Sequence, residues 1–423
     1  MTDWKEKIIS WMERAEPVAT KWLSQLVQCD STTGREKDAQ RITRDILVEM
    51  GAKVDMWEPE GDTLINHPLF NTTRTDFTDS PNVVGVFKGT GGGRSMILNG
   101  HIDVVPEGDR EQWESDPWSG TVKKGKLYGR GSTDMKGGNV AALLAVKCLT
   151  DLRVRLKGDV IFESVIEEES GGAGSLAAAL RGYRADAAII PEPTDMKIFP
   201  KTQGSMWFRL YVPGLSAHGG TRYEGVSAID KAFLVVQAIR KLEEERNAEI
   251  QDPLYAQTPI PVPINIGKIK GGSWPSAVAD EVVLEGRMGV KPEEDLVAAR
   301  ESLERAIRKL CQQDEWLEKH PVKVEWFGAR WVPSNLSSEH PLIRSLSEQY
   351  QTVMDQEPEI EASPWATDAG MLQTAAKTPT VVFGPGVTAV AHYPNEYIPL
   401  QRILDCAKVI ALTLIHWCGI DDC

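Results

Sequence analysis

The chain has little cysteine, a deficit of positive charge and no long apolar run. Its six cysteines (Cys29, Cys148, Cys311, Cys406, Cys418 and Cys423) are scattered over 423 residues with no CxxC pair. That spacing leaves cysteine no part in a metal site and points to reduced thiols in a cytoplasmic protein. No stretch approaches the roughly 18 apolar residues that cross a bilayer. The opening residues Trp4-Lys5-Glu6-Lys7 lead straight into an amphipathic helix, without the apolar core of a signal peptide. Basic residues number 47 against 61 acidic ones, for a net charge of −14, so nucleic acid and anionic membrane would both be repelled. The thirteen tryptophans are not interleaved with basic patches, which again speaks against a nucleic-acid binder. There is no Gly-x-Ser-x-Gly elbow to present a serine nucleophile, no internal repeat and no low-complexity tract.

What is present reads as a soluble globular protein, 41% hydrophobic and 26% charged. Single cores stop growing at about 250–300 residues, so two domains are expected. Apolar stripes over Val18–Val27 and Arg35–Met50, the second closed by Gly51, predict helices. Residues Glu58–Ser80 read as a long surface loop. From there short, dense apolar runs alternate with helical patterns: Asn82–Phe87, Met96–Leu98, Val160–Phe162 and Ala187–Ile190 as strands, Met135–Thr150 and Gly174–Leu180 as helices. That alternation signals an α/β layer with a mostly parallel sheet covered by helices. After Gly204 the texture changes to alternating strands and two long amphipathic helices. This predicts an inserted α+β module, two helices on a four-stranded antiparallel sheet. The expected division is 1–203 and 331–423 for the split larger domain and 204–330 for the insert.

Five motifs place metal-compatible side chains where a strand or helix gives way to a loop. They are Asn99-Gly100-His101-Ile102-Asp103, Gly129 through Gly138 around Asp134, Glu167-Glu168-Glu169-Ser170-Gly171-Gly172, Pro191-Glu192-Pro193-Thr194, and Ala391 through Glu396 around His392. His101 should emerge at the carboxyl end of its strand, where open α/β sheets bind ligands. Asp103 is within reach to accept a hydrogen bond from that imidazole. Asp134 sits in a glycine-rich turn, as an N-cap or as a carboxylate that can bridge two cations. Three adjacent glutamates repel one another unless something positive lies near. Their side chains diverge, so one can ligate metal while its neighbour faces substrate. Singly each motif is weak; five in this order form a hard-to-borderline donor set suited to zinc, and open to cobalt or manganese.

With these motifs the chain resembles the dinuclear zinc amidohydrolases that include aminoacylase-1, acetylornithine deacetylase, succinyl-diaminopimelate desuccinylase and the glutamate carboxypeptidases. The resemblance spans nearly the whole chain. It implies that His101, Asp134 and Glu192 hold one metal and Asp134, Glu169 and His392 the other. Asp134 would bridge, Asp103 would orient its surroundings, and Glu168 would be the general base. In Ser216-Ala217-His218-Gly219-Gly220 of the insert, His218 matches a histidine that stabilises the oxyanion in the partner subunit's site. A homodimer through the insert is therefore expected. Asn265 and Arg287 match positions that contact the substrate's carboxylate side, and Gly384-Pro385-Gly386 and Thr367-Asp368 would line the pocket, the first through its backbone. One departure stands: relatives often read Asp-Glu-Glu where this chain has Glu167-Glu168-Glu169. The remaining histidines, His67, His320, His340 and His416, are expected to have no part in the chemistry.

The implied function is a two-metal deacylase of N-acyl amino acids, acetylornithine-type substrates first. Attack would come from a metal-bridging water, with Glu168 as base. A dipeptidase or carboxypeptidase shares that chemistry and is the alternative. A non-catalytic metal-binding module is a third reading, disfavoured because the base and all five ligands are present.

Overall fold

A computed structural model describes residues 2–421; Cys423 lies outside the described residues. The chain divides into two compact units. The first comprises the residues up to Lys201, Ser334–Glu361 and those from Asp368 onward; the second comprises Thr202–Pro333 with Ala362–Thr367.

The first unit is built on a nine-stranded sheet whose centre is parallel. Met96–His101 lies between Val160–Val165 and Ala187–Ile190, and Thr380–Val382 follows on the far side, all four running the same way. Antiparallel strands extend it: Asn82–Phe87 and Lys53–Trp57 at one side, Ile198–Thr202 at the other. Both Met96–His101 and Val160–Val165 are buried along their whole length, as strands covered on both faces must be. The helix Gly137–Asp151 packs on this sheet and on Leu400–Cys418. Twelve of its fifteen residues are buried, which is why its sequence is apolar all round rather than striped. Because the parallel strands share a direction, the segments after His101, Val165, Ile190 and Val382 all emerge along one edge.

Several elements were not foreseen, among them the strand Ile198–Thr202 and the helix Pro341–Met354. Thr121–Lys123, Lys126–Tyr128 and Tyr397–Pro399 form a small antiparallel sheet. The segment read as surface loop, Glu58–Ser80, carries a short helix at Gly61–Leu64 and buries Leu64, Asn71, Phe77 and Ser80.

The second unit is a four-stranded antiparallel sheet in the order Ile264–Gly271, Glu281–Val290, Gly204–Pro213, Lys323–Trp331. Along Gly204–Pro213, Met206, Phe208, Leu210 and Val212 are buried. They form one core with Ala232, Val235 and Ile239 of the helix Ala228–Ala248 and Ala299, Leu303 and Ile307 of Leu296–Cys311. Ser227 and Asp295 cap these helices by accepting hydrogen bonds from the backbone N–H groups of their first turns. No helix among the described residues is long and apolar enough to cross a membrane. The five described cysteines form no disulfide.

Candidate active site

His101 is the last residue of its strand and only 1% exposed. Its Nδ1 lies 2.8 Å from the backbone carbonyl of Asp103, which fixes the ring and aims Nε2 outward. Here the structure corrects the expected pairing, because the Asp103 carboxylate stands 3.8 Å from that nitrogen. Its oxygens instead accept the backbone N–H groups of Glu168 and Glu169, at 3.2 and 3.1 Å. A buried carboxylate thus holds the turn that carries both glutamates.

Asp134 is not a helix cap; the helix begins at Gly137. It lies in an irregular turn entered through Gly131, whose φ of 80° suits glycine. Its two oxygens part company, Oδ1 lying 3.2 Å from His101 Nε2 and Oδ2 3.1 Å from His392 Nε2. His392 Nε2 also lies 3.1 Å from Glu169 Oε1, and His101 Nε2 lies 3.6 Å from Glu192 Oε1. Donor atoms of His101, Asp134 and Glu169 all fall within 4.8 Å of one another, and so do those of His101, Glu168 and Glu192. The five residues expected as ligands, and Glu168, therefore meet in one place.

The electrostatics fit cations. Among the described residues, the ion-pair partners of Asp134, Glu169 and Glu192 are the two imidazoles, with no lysine or arginine. Burial resists ionisation of Asp134, yet hydrogen bonds to His101 and His392 outweigh it and hold the carboxyl well below the usual range. Burial pushes Glu192 up to about 7 and lifts Glu168 well above its ordinary value. Burial would lower His392, but Asp134 and Glu169 raise it to about 11. A divalent ion bound among such donors would displace their protons. With only imidazole and carboxylate donors it suits zinc, cobalt or manganese better than a thiolate-seeking metal.

Several supporting residues had no assigned role in the sequence. Glu396 is fully buried; its Oε1 accepts the N–H groups of Thr133 and Asp134 at 2.9 and 3.2 Å. Its Oε2 pairs with Arg130 Nη1 at 2.6 Å, and Arg130 Nη2 donates to the carbonyls of His392 and Pro106. The small sheet aligns these partners, pairing Tyr128 with Tyr397 just beside Arg130 and Glu396. Glu167 is not a ligand. It bonds Arg74 at 2.8 Å and Thr72 at 3.0 Å, so the positive group that relieves the glutamate run comes from the segment read as loop. Asp368, which was expected to line the pocket, is buried and accepts from Ser175 Oγ at 2.6 Å.

Gly384 differs from its expected role. Its N–H donates to Thr194 Oγ1 and its carbonyl accepts from Met196 N. A Cβ there would lie 2.2 Å from the Glu192 carbonyl. Its backbone groups are already engaged, and it packs behind Glu192 rather than presenting them to a ligand. His218, Asn265 and Arg287 lie in the second unit. His218 is exposed and caps a 3-10 turn, its Nδ1 accepting from Gly220 N at 3.0 Å. Asn265 and Arg287 face each other across adjacent strands. The other histidines serve the fold: His67 and His340 accept from nearby backbone N–H groups, His416 pairs with Ser345, and His320 stacks on Trp316.

Residues 97–416 match the family model described as Peptidase family M20/M25/M40. The chain belongs to this family. A deformylase of N-formyl-4-amino-5-aminomethyl-2-methylpyrimidine from Halalkalibacterium halodurans is 31% identical over 403 residues, 90% of this chain and 89% of that protein. Acetylornithine deacetylase of Proteus mirabilis is 28% identical over 347 residues, 78% of this chain and 80% of that protein. Among solved structures, a dipeptidase from Saccharomyces cerevisiae shares the fold, with a TM-score of 0.74 at 14% identity and 99% of each chain covered. The chain is thus an amide-cleaving hydrolase of this metallopeptidase family.

Proposed function

We propose that this hydrolase releases a free amino acid from its N-acyl form, using two divalent cations, zinc first. The observation that carries the reading is the split Asp134 carboxylate, one oxygen toward His101 and the other toward His392. His101, Asp134 and Glu192 would hold one cation and Asp134, Glu169 and His392 the other. When bound, such cations supply a water ionised near pH 7 and positive charge for the tetrahedral oxyanion. Glu168 sits beside this cluster, where burial raises its proton affinity and the charge of bound cations would favour the ionised form that can accept a proton. It takes the proton of the attacking water and returns it to the leaving nitrogen. Asp103, through the N–H groups of Glu168 and Glu169, keeps base and ligand in register.

The same reading gives His218, Asn265 and Arg287 the roles that the resemblance implies. With Nδ1 of His218 accepting a hydrogen bond, the neutral ring carries its proton on Nε2, a donor for the oxyanion. Arg287 is half-buried and has no acidic partner among the described residues, which supports a substrate carboxylate beside Asn265. The exposed Ile229 and Phe233 of Ala228–Ala248 and Ile269 of the edge strand support a homodimer through this unit. Light scattering should then give twice the 46.8 kDa chain mass. The free thiols support a cytoplasmic location.

The identity to the pyrimidine deformylase favours a second reading, in which the acyl group is formyl and the amine an aminomethylpyrimidine. A panel of N-acetyl, N-formyl and N-succinyl amino acids, dipeptides and the formylated aminomethylpyrimidine separates these readings. The protein is first stripped of metal, then supplied with zinc or cobalt. The expected result is metal-dependent turnover of N-acyl amino acids. Turnover confined to the pyrimidine supports the second reading, and no cleavage of any amide with metal bound refutes both.

A further inference from the structure

The open face of the second unit's sheet carries an uneven row of side chains. Register places Asn265 opposite Arg287, Arg287 opposite Trp207, and Trp207 opposite Phe327, one from each strand. Neighbours in such a row stand about 5 Å apart. The next row along shows how this sheet treats an arginine when no ligand is involved. There Arg209 lies between Glu285 and Glu325, with contacts of 2.8 and 3.3 Å. Arg287 is likewise half-buried and has no such acid among the described residues, so the row leaves a cation open to an anionic ligand.

Trp207 is also unusual. It is 38% exposed on a strand whose alternate residues are buried. Its ring lies against Phe327 and Trp331, at centroid distances of 6.1 and 6.4 Å. Gly328, at φ 62°, makes room for it, since a Cβ there would come within 2.6 Å of the indole. A large ring is therefore fixed in orientation while over a third of its surface stays open, one cross-strand step from an unpaired cation.

We propose that Trp207 is the floor of a ring-binding subsite beside Arg287, and that the preferred substrates are N-acyl amino acids with an aromatic side chain. The proposal rests on the reading of Arg287 as the carboxylate anchor. In such a substrate the ring sits one methylene from the carbon that bears the carboxylate, so the two groups are separated by about the cross-strand spacing of 5 Å. Offset or edge-to-face packing of that ring on the indole gains free energy beyond its buried area. A saturated ring of the same outline buries similar area without that term.

The test compares N-acetyl-phenylalanine with N-acetyl-cyclohexylalanine, using metal-loaded wild type and the variants Trp207→Leu, Trp207→Phe and Arg287→Met. Free phenylalanine and cyclohexylalanine serve as competitive inhibitors. The wild type should favour the aromatic substrate, mainly through KM. In Trp207→Leu the aromatic-to-saturated ratio of kcat/KM should fall by about 3- to 10-fold, the size of a ring–ring contact. The ratio of the two inhibition constants should move with it, and Trp207→Phe should restore most of both. The restoring variant guards against a simple folding defect. An unchanged ratio in Trp207→Leu overturns the ring subsite. If Arg287→Met raises KM for both substrates while the ratio ignores Trp207, only the subsite fails. If Arg287→Met leaves both KM values unchanged, the anchor reading fails and the proposal fails with it.

Discussion

Glu396 and Arg130 are 266 residues apart in sequence and form a buried pair that ties two candidate ligand-bearing segments together. One Glu396 oxygen holds the backbone entering Asp134, while Arg130 holds the carbonyl of His392. Losing one member strands the other charge in the interior, which costs about 3–5 kcal/mol. It also frees the two segments to drift, and loss of such outer support commonly costs 10–100-fold in metal affinity. Glu396→Gln should therefore weaken zinc binding by about 10–100-fold in a chelator competition titration, with lower stability in urea. Wild-type affinity in that variant would contradict this role. The sequence displayed both residues inside motifs but not their partnership, because no local pattern marks a contact that tertiary approach creates. The same holds for Arg74, whose bond to Glu167 explains why three adjacent glutamates are tolerated. His101, Asp134, Glu169, Glu192 and His392 were legible because each sits beside a strand end or glycine turn that shows in sequence.

Among the elements, the parallel strands were legible from their dense apolar runs, and the insert's helices from their amphipathic patterns. The small sheet was not, since strands of three residues such as Lys126–Tyr128 are too short to show a period. Nor was Glu163, a carboxylate in the middle of Val160–Val165. It is fully buried and receives a hydrogen bond from Asn99 at 2.9 Å, leaving its Oε1 without a partner. Burial first, then Asp368, raises its carboxyl from 4.5 to about 7. The folded state thus holds a proton that the unfolded chain releases between those values. Stability contributed by the neutral group is complete below about 4.5 and is lost as pH rises through about 7. The full effect is about 3 kcal/mol. Glu163→Gln keeps an acceptor for Asn99 and removes the charge, so urea unfolding at pH 8 should show a gain of up to about 3 kcal/mol. At pH 5 the gain should nearly vanish. An equal change at both pH values would mean that the carboxyl is already ionised in the acid range.

For the whole molecule, length and the change of texture after Gly204 foretold two cores, and two are found. The order of motifs foretold the family, and the family model covers residues 97–416. Substrate identity was less legible, because it depends on groups such as Trp207, Arg287 and Phe327 that meet only through strand register. A sequence shows the period of a strand but not which residue of its neighbour stands opposite. The central claim is that the ligand cluster holds metal while Glu168 moves the proton. The most direct test measures metal content and kcat together in Glu168→Gln. The account predicts a wild-type metal stoichiometry with kcat reduced by about 10²–10⁴-fold, the usual contribution of a positioned acid–base group. Turnover near the wild-type rate with metal bound would contradict it.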